Sequence, residues 1–268
     1  MHNHAFRFGV VAGSAPGPGG WPGLARRVEE LGYATLLIPD TLQTLSPFAA
    51  AAAAAAATST LRVGTYVVAA PNRTPAMVAW ETETVQTLSG GRFELGLGAG
   101  RPGAEQEAAA LGVPFGTAAR RVGLVAEIAK AVKNTPILIA ASGTRMLRLA
   151  AEQADTVALA LPPHATEAEL AATLDELYEI AGDRFPKLEV NSNLFVVGDD
   201  APDWLVRSLG RDPREIVARG GYGVVPGEPA AIADTLAGRR DRLGISYVTV
   251  GAPFAERFAP VVERLVGT

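Results

Sequence analysis

Leu88-Ser-Gly-Gly-Arg-Phe-Glu-Leu-Gly-Leu-Gly-Ala-Gly100 is the most informative stretch of the chain. It predicts a tight turn, then a buried strand, and then a strand end that lacks side chains at Gly96, Gly98 and Gly100. Glycine lets a ligand approach the main chain closely and lets the backbone adopt positive φ. The stretch therefore favours a surface on which a flat ring system could lie. The alternative is a glycine-rich turn that serves only packing.

Strand-like and helix-like segments alternate along the whole chain, which is typical of a parallel sheet covered by helices. We count eight such pairs, the number that a (β/α)8 TIM barrel needs. The predicted strands are residues 6–12, 35–38, 61–68, 93–97, 137–140, 156–161, 188–197 and 246–250. The predicted helices are residues 21–31, 47–57, 75–88, 118–133, 145–153, 167–180, a long stretch that ends at 242, and 255–266. The sequence thus predicts one α/β barrel domain over residues 1–268.

Composition limits the classes of protein that come into question. With 268 residues, 48% of them apolar, the chain can bury the core of a large domain. A net charge of −4 and the lack of a polybasic tract give no electrostatic reason to bind nucleic acid or a membrane surface. There is no cysteine and there are three histidines, so we expect no metal site. We also expect no signal peptide and no membrane span, and hence a cytoplasmic protein.

The second predicted helix contains nine consecutive alanines, Ala49 to Ala57. Alanine has the best helix propensity, and a surface without larger side chains lets another helix approach closely. We therefore expect tight helix packing here. The neighbouring helix could come from this chain or from a partner subunit.

The active site of such a barrel lies at the carboxyl ends of the strands and in the loops that follow them. This rule nominates Asp40 and Thr41 after the second strand and the segment 98–101 after the fourth. The fifth strand is followed by Ser142-Gly143-Thr144, which places two hydroxyl groups and a glycine at a predicted helix start. Amide groups at a helix start bind anions, so this segment favours a phosphate site, with an ordinary helix N-cap as the alternative.

Several motifs follow one another in a characteristic order. They are Gly9-Val-Val, Leu31-Gly-Tyr, Pro39-Asp40, Arg73-Thr-Pro75, the stretch 88–100, Gly112-Val-Pro-Phe115, Arg145-Met-Leu-Arg-Leu-Ala-Ala151, Ala154-Asp155 and Leu243-Gly-Ile-Ser-Tyr247. In this order the chain resembles the luciferase-like monooxygenase family, and within it the actinobacterial branch of probable F-420-dependent oxidoreductases. The resemblance implies a TIM barrel that holds FMN or the deazaflavin coenzyme F-420 at its carboxyl face. It also implies a small-molecule substrate and a homodimer formed through helices two and three.

The resemblance assigns cofactor contacts to ten positions. These are Asp40, Tyr66, Val67, Gly98, Ala99, Gly100, Arg101, Ser142, Gly143 and Thr144. Asp40, Ala99 and Gly100 would lie against the ring, and residues 142–144 would approach the phosphate. At the place of Tyr66 and Val67, members of the deazaflavin group have a non-proline cis peptide. Arg73 is expected to tie the loop after strand three into the barrel.

The chain also departs from the family pattern. Many relatives have a histidine and a glutamate where this chain has Thr41 and Arg101, and in the sugar-phosphate dehydrogenase branch those groups do the proton chemistry. Threonine cannot act as a general base near neutral pH, so that reaction is not expected and the catalytic residues stay unknown. Arg101 instead favours an anionic group. Relatives usually carry a long loop where this chain has only Lys133 to Thr135, and from its loss we expect a shallow or open pocket.

Three hypotheses of function follow. The first is a flavin-type oxidoreductase, with hydride transfer if the coenzyme is F-420 and monooxygenation as an alternative if it is FMN. The second is a degenerate barrel that binds a ligand without catalysis. The third is a dinucleotide-binding Rossmann enzyme, because residues 98–103 read GxGxxG; Pro102 and the lack of a predicted helix directly after it make this signal weak.

Two further patterns consist of polar residues close together in the sequence. The acid pairs Glu81 with Glu83 and Asp199 with Asp200 are interpreted as solvated surface groups. Asn191 and Asn193 are two residues apart on a predicted strand and so point the same way. They would either line the barrel or form a polar edge.

Overall fold

The computed structural model describes residues 4–15 and 19–268. Eight parallel strands follow one another around a closed barrel, and the last pairs with the first. They are β1 (Arg7–Val11), β2 (Thr35–Ile38), β3 (Arg62–Thr65), β4 (Phe93–Gly98), β5 (Ile137–Ala141), β6 (Thr156–Leu159), β7 (Glu189–Leu194) and β8 (Ile245–Gly251). A short strand, Val68–Ala69, continues along β4 beyond the end of β3. The predicted TIM barrel is confirmed.

One main helix follows each barrel strand. These helices are α1 (Gly20–Glu30), α2 (Pro47–Ala57), α3 (Pro75–Leu88), α4 (Ala118–Ala131), α5 (Thr144–Gln153), α6 (Glu167–Ala181), α7 (Pro229–Leu243) and α8 (Ala255–Leu265). The predicted bounds of α2 and α3 are confirmed at both ends. Proline occupies the first turn of each, and the Thr74 side chain caps α3 by accepting the Met77 N–H at 3.2 Å.

The segment between β7 and α7 differs from the long helix predicted for it. It contains the short strands Val196–Val197 and Val224–Val225, which pair in parallel, and the short helices Asp203–Leu209 and Pro213–Ala218 between them. Gly210, with φ of +66°, ends the first of these helices. The prediction of one continuous helix is wrong because glycine and proline interrupt the helical backbone here.

A further helix, Ala104–Ala110, lies between β4 and α4. It begins directly after Gly103, whose φ is +88°. The expectation that no helix follows the GxGxxG segment at once is therefore wrong. The Rossmann hypothesis nevertheless fails, because that fold needs an open sheet and this sheet is closed.

An ion network fills the amino-terminal end of the barrel. The Arg7 guanidinium contacts Glu94 at 2.6 Å and Glu189 at 2.6 Å, and it lies 3.9 Å from the ring centre of Tyr247. Arg62 forms a second ion pair with Glu94. All four ionic side chains stand in the first two residues of β1, β3, β4 and β7. This network closes the end of the barrel that faces away from the strand carboxyl ends.

The connection before β5 is as short as the sequence predicted. It runs from the end of α4 at Ala131 to Ile137, and the Gln86 side-chain amide donates to the Asn134 carbonyl at 3.0 Å. This turn lies at the amino-terminal end of the barrel, since it joins a helix end to a strand start. TIM barrels bind ligands at the opposite end, and the expectation of a shallow or open pocket stays a prediction.

The alanine-rich helix α2 packs between α1 and α3 of the same chain. The Trp21 indole N–H donates to the Ala50 carbonyl at 2.7 Å. The guanidinium of Arg92 donates to the Ala55 carbonyl at 2.8 Å and so caps the end of the helix. Close helix packing is therefore present within the chain. Among the described residues, no helix has the length and apolar character needed to cross a bilayer.

Candidate active site

A cavity of about 300 Å³ opens at the carboxyl ends of β2 to β6, and we call it the central cavity. Its volume is at the small end of the range of roughly 300–1,000 Å³ seen for ligand pockets. Eight of the ten residues to which the resemblance assigns cofactor contacts line it, namely Asp40, Tyr66, Val67, Gly98, Ala99, Gly100, Arg101 and Ser142. Gly143 and Thr144 are not part of the lining and lie at the start of α5. The sequence thus placed most of its candidates around one cavity.

Six further residues complete the lining of the central cavity. They are Pro39, Thr41, Ala69, Ala140, Met146 and Ala160. Sequence reasoning did not single out Ala140, Met146 or Ala160. Ala140 lies near the end of β5 and Ala160 directly follows β6, so small residues at strand ends were the signal that could have found them.

Asp40 follows β2, and its carboxylate is fully engaged by the protein. Its Oδ2 accepts the Ala69 N–H at 3.1 Å, and its Oδ1 accepts from Arg73 Nη2 at 3.0 Å. Arg73 Nη1 donates to Oδ2 as well, so the two side chains meet at two points. Arg73 therefore ties its loop to the barrel rim, as expected. The negative charge of Asp40 at the cavity is therefore balanced by the positive charge of Arg73.

Glu81 stands on the far side of Arg73, with Oε2 at 3.6 Å from Nε. Burial raises the pKa of the Glu81 carboxyl, Arg73 opposes that shift, and the nearby charge of Asp40 adds to it. Oε2 is buried and has no hydrogen-bond partner among the described residues. The interpretation of Glu81 as a solvated surface group is therefore wrong, because α3 carries it into the side of the Arg73 cluster.

Residues 65–67 and the end of β4 fit closely together in the floor of the cavity. The peptide bond between Tyr66 and Val67 is cis, as the resemblance implied. A Cβ at Gly96 would lie 2.0 Å from the Thr65 carbonyl oxygen, and one at Gly98 would lie 2.7 Å from Val67 Cγ2. Protein packing thus explains these two glycines, as the alternative interpretation held. Gly98 and Val67 still form part of the cavity wall.

Tyr66 points its hydroxyl group into the barrel, where it donates to Asn191 Oδ1 at 2.6 Å. Burial raises the pKa of the Tyr66 phenol to about 12, so it is neutral near pH 7. Asn191 Nδ2 donates to the Tyr247 carbonyl at 3.2 Å, and Thr249 Oγ1 donates to Asn193 Oδ1 at 3.0 Å. Both asparagines therefore line the barrel, one of the two arrangements left open by the sequence.

Arg101 projects from the loop after β4 at the mouth of the central cavity. Its guanidinium lies 2.5 Å from Glu107 Oε1 and donates to the Pro102 carbonyl at 2.8 Å. Glu107 is buried, and sequence reasoning missed it because the helix that carries it was not predicted. Arg101 is thus partly neutralised within the protein, which weakens its expected attraction for an anion.

The start of α5 lies at the edge of the central cavity. Gly143 occupies the N-cap position, and no side chain caps the helix. Ser142 lines the cavity, and residues 142–144 are exposed. The segment 142–144 therefore does form the N-cap of α5, but without a side-chain cap. The first amide groups and the positive end of the helix dipole are available to an anion.

The described residues form no cluster of side chains suited to a metal ion. Over residues 4–15 and 19–268, no group of three or more histidine, aspartate or glutamate side chains is arranged to hold an ion. The central cavity instead combines apolar walls with the uncapped start of α5 at its edge.

Comparison with known proteins agrees with this description. The model of the luciferase-like monooxygenase family matches residues 5–135 and 124–247. The chain belongs to the luciferase-like monooxygenase family, which is a family of oxidoreductases.

Solved structures share the fold at low sequence identity. A coenzyme F-420-dependent tetrahydromethanopterin reductase from Methanopyrus kandleri is 19% identical, with a TM-score of 0.73, and the alignment covers 98% of this chain and 99% of that one. An F-420-dependent secondary alcohol dehydrogenase in complex with an F-420–acetone adduct is 17% identical, with a TM-score of 0.72 and 98% of both chains covered. A riboflavin lyase with modified FMN and riboflavin is 15% identical, with a TM-score of 0.74 and 99% and 93% covered. Structures of this fold thus include both cofactor types that the resemblance implies.

Proposed function

We propose that the protein is an oxidoreductase that binds coenzyme F-420 or FMN in the central cavity, with hydride transfer to or from a small organic substrate through F-420 as the leading case. The observation that carries the proposal is the pairing of apolar walls with an uncapped helix start. Val67, Ala99 and Met146 line the cavity, and α5 begins at its edge without a side-chain cap. An aromatic ring with an anionic phosphate on one side matches this arrangement.

The residues of the chain would mainly bind and orient the coenzyme, which supplies the hydride chemistry when bound. Asp40 is held in place by Arg73 and by the Ala69 N–H, so its carboxylate keeps one orientation beside the cavity. The Tyr66 phenol is neutral and hydrogen-bonded to Asn191. We assign no general acid or base, because Thr41 and the paired Arg101 cannot take that role near neutral pH.

Two alternatives keep specific support. FMN binding with monooxygenation fits the same cavity, since the ring and phosphate of FMN make the same demands on the protein. A degenerate barrel that binds a ligand without turnover is favoured by Thr41 and by the engagement of Arg101 with Glu107. Coenzyme-dependent turnover of any substrate would eliminate this last alternative.

The test is a fluorescence titration of the purified protein with oxidised F-420 and, in parallel, with FMN. The informative variant is Gly143→Asp, which places a negative charge at the helix start where the phosphate would bind. A Cβ at Gly143 meets no atom within 4 Å, so the variant should fold normally. We expect Gly143→Asp to weaken coenzyme binding about tenfold or more through repulsion of the phosphate.

The matched control for this titration is Gly143→Ala, which adds a Cβ at the same position without a charge and without a side-chain oxygen that could cap the helix amides. We expect it to retain affinity within about threefold. An equal loss of coenzyme affinity in both variants would contradict phosphate binding at the start of α5. Binding of neither F-420 nor FMN by the folded wild-type protein would leave the degenerate barrel as the better hypothesis.

We further propose a homodimer formed through α2 and α3, in the cytoplasm. Met77, Trp80 and Leu88 form an exposed apolar stripe on one face of α3, and Trp80 is 71% exposed. A cleft of about 260 Å³ between Trp80 and Ala52 separates this stripe from α2. A second copy of the same face could fill the cleft. Light scattering should give twice the chain mass for the wild type and a single chain mass for Trp80→Glu.

A further inference from the structure

A second cavity, of about 220 Å³, opens beside the central cavity at the carboxyl ends of β1, β7 and β8, and we call it the side cavity. Its walls are mainly aromatic and aliphatic and include Val11, Phe195, Trp204 and Phe254. No residue that lines it carries a charge near neutral pH. The side cavity therefore suits an uncharged ligand, because a buried charge without a partner is strongly disfavoured.

Tyr66 belongs to the lining of both cavities. Its ring forms a shared wall, and its hydroxyl group is fixed by the 2.6 Å hydrogen bond to Asn191. The side cavity is thus an immediate neighbour of the proposed coenzyme site. A molecule bound there would lie next to the coenzyme ring without occupying the same space.

Asn193 supplies the polar group of the side cavity. Its Oδ1 accepts the Thr249 hydroxyl hydrogen bond at 3.0 Å, which fixes the orientation of the amide. Its Nδ2 has no hydrogen-bond partner among the residues that the structure describes, and it is not among the buried unpaired atoms. The amide therefore offers a free N–H donor to a ligand. A carbonyl or hydroxyl oxygen is the complementary group.

Trp204 covers the outer side of this cavity. It stands on the short helix Asp203–Leu209 that follows β7, and it is 55% exposed. An exposed tryptophan over an apolar cavity gives a flat surface on which an aromatic or aliphatic ligand can stack. Sequence reasoning missed this residue, because it interpreted the segment as part of one long helix.

We propose that the side cavity is the substrate site and that it takes a small, uncharged, largely apolar molecule with one carbonyl or hydroxyl oxygen, which accepts a hydrogen bond from Asn193 Nδ2. That the ligand of the side cavity is a substrate rests on the proposed oxidoreductase function. The binding site itself does not, because it follows from the cavity, the free amide and the absence of charge.

The test measures ligand binding by saturation-transfer NMR, with acetophenone as the uncharged ketone and benzoate as its charged match. The blocking variant is Gly251→Leu. Gly251 lines the side cavity with φ of −66°, and a Cβ there would meet only Pro253 Cδ, at 3.6 Å. The backbone at Gly251 therefore accepts a side chain; Gly251→Leu is designed to fill the cavity, and Gly251→Ala adds one methyl group as the matched control.

We expect acetophenone to bind the wild-type protein and benzoate not to bind it. Gly251→Leu and Asn193→Leu should each weaken acetophenone binding about fivefold or more, and Gly251→Ala should change it by less than about twofold. The proposal is overturned if the wild type does not bind acetophenone, if benzoate binds equally well, or if Gly251→Leu binds acetophenone as the wild type does.

Titration of the same variants with F-420 and FMN separates the two proposals. Coenzyme affinity should stay within about twofold in Gly251→Leu, since Gly251 does not line the central cavity. Acetophenone binding without coenzyme binding would contradict the oxidoreductase function alone. Coenzyme binding with acetophenone binding that Gly251→Leu does not change would contradict the substrate site alone.

Discussion

Arg73 contacts both carboxylate oxygens of Asp40 at the rim of the barrel, and through this pair the loop after β3 is bound to the end of β2. The side chains of Arg73 and Asp40 are 17% and 8% exposed. An arginine that meets a carboxylate at two points fixes orientation as well as charge. The pair therefore determines the shape of one wall of the central cavity.

Removing Arg73 should destabilise the protein measurably. In Arg73→Gln the Asp40 carboxylate keeps only the Ala69 N–H, so we expect a loss of about 1–3 kcal/mol in the free energy of unfolding by urea. Arg73→Lys keeps the charge but not the two-point contact. Its free energy of unfolding should therefore lie between those of the wild type and of Arg73→Gln. A double-mutant cycle with Asp40→Asn measures the coupling. A change within about 0.5 kcal/mol for Arg73→Gln would contradict this account.

A substitution in the ion network at the closed end of the barrel should destabilise the protein more than the loss of Arg73 does. Burial alone would raise the pKa of Glu94, but Arg7 and Arg62 hold it below its usual range. Glu94→Gln leaves Arg62 without a counter-charge and Arg7 with Glu189 alone, so we expect a loss of about 3–5 kcal/mol in the free energy of unfolding. The control, Arg27→Gln, removes an exposed pair with Glu256 and should change the free energy of unfolding far less, because solvent screens that pair. Urea unfolding compares the two variants, and equal losses would refute the assignment.

Glu29 should make the protein sensitive to acid. Burial would raise the pKa of its carboxyl, but N–H donors of Ser59, Thr60 and Leu61 and the Thr60 hydroxyl lower it to about 2. The stabilisation is therefore complete above the ordinary glutamate pKa of 4.5 and is lost as the pH falls towards 2. Glu29→Gln should cost about 1–2 kcal/mol at pH 7. The difference between variant and wild type should shrink as the pH falls from 5 to 2, and a constant difference would contradict the assignment.

Alkaline conditions should destabilise the protein through its buried tyrosines. Burial raises the pKa of Tyr66 to about 12 and raises the pKa of Tyr33, Tyr222 and Tyr247 as well. The unfolded chain therefore loses these protons first, near pH 10, so stability falls as the pH rises above that value. Absorbance at 295 nm should show these phenols ionising together with unfolding. Their ionisation near pH 10 in the folded protein would contradict their burial.

The sequence predicted the fold well because the barrel depends on local patterns. Pro47 and Pro75 mark helix starts, and the strands read as apolar runs. The segment between Gly198 and Glu228 offered no such pattern, so its two short helices and the short strand Val224–Val225 were missed. Its conformation depends on contacts with distant residues, for example the Tyr222 N–H to the Ala165 carbonyl at 2.9 Å.

The candidate site was predictable where the rule about strand ends applies. Asp40, Gly98 and Ser142 each follow or end a barrel strand and line one cavity. The engagement of Arg101 by Glu107 and the position of Glu81 beside Arg73 were not predictable, because each requires knowledge of how a helix packs on the barrel. The side cavity was missed for the same reason, since Trp204 reaches it from an unpredicted helix.

The ion network of Arg7, Glu94 and Glu189 has a consequence for how this protein can change over evolution. It lies at one end of the barrel, whereas Asn193 and Trp204 lie at the other. Substitutions of Asn193 or Trp204 leave this ion network unchanged. Ligand preference can therefore diverge among descendants of this chain while the barrel beneath stays the same.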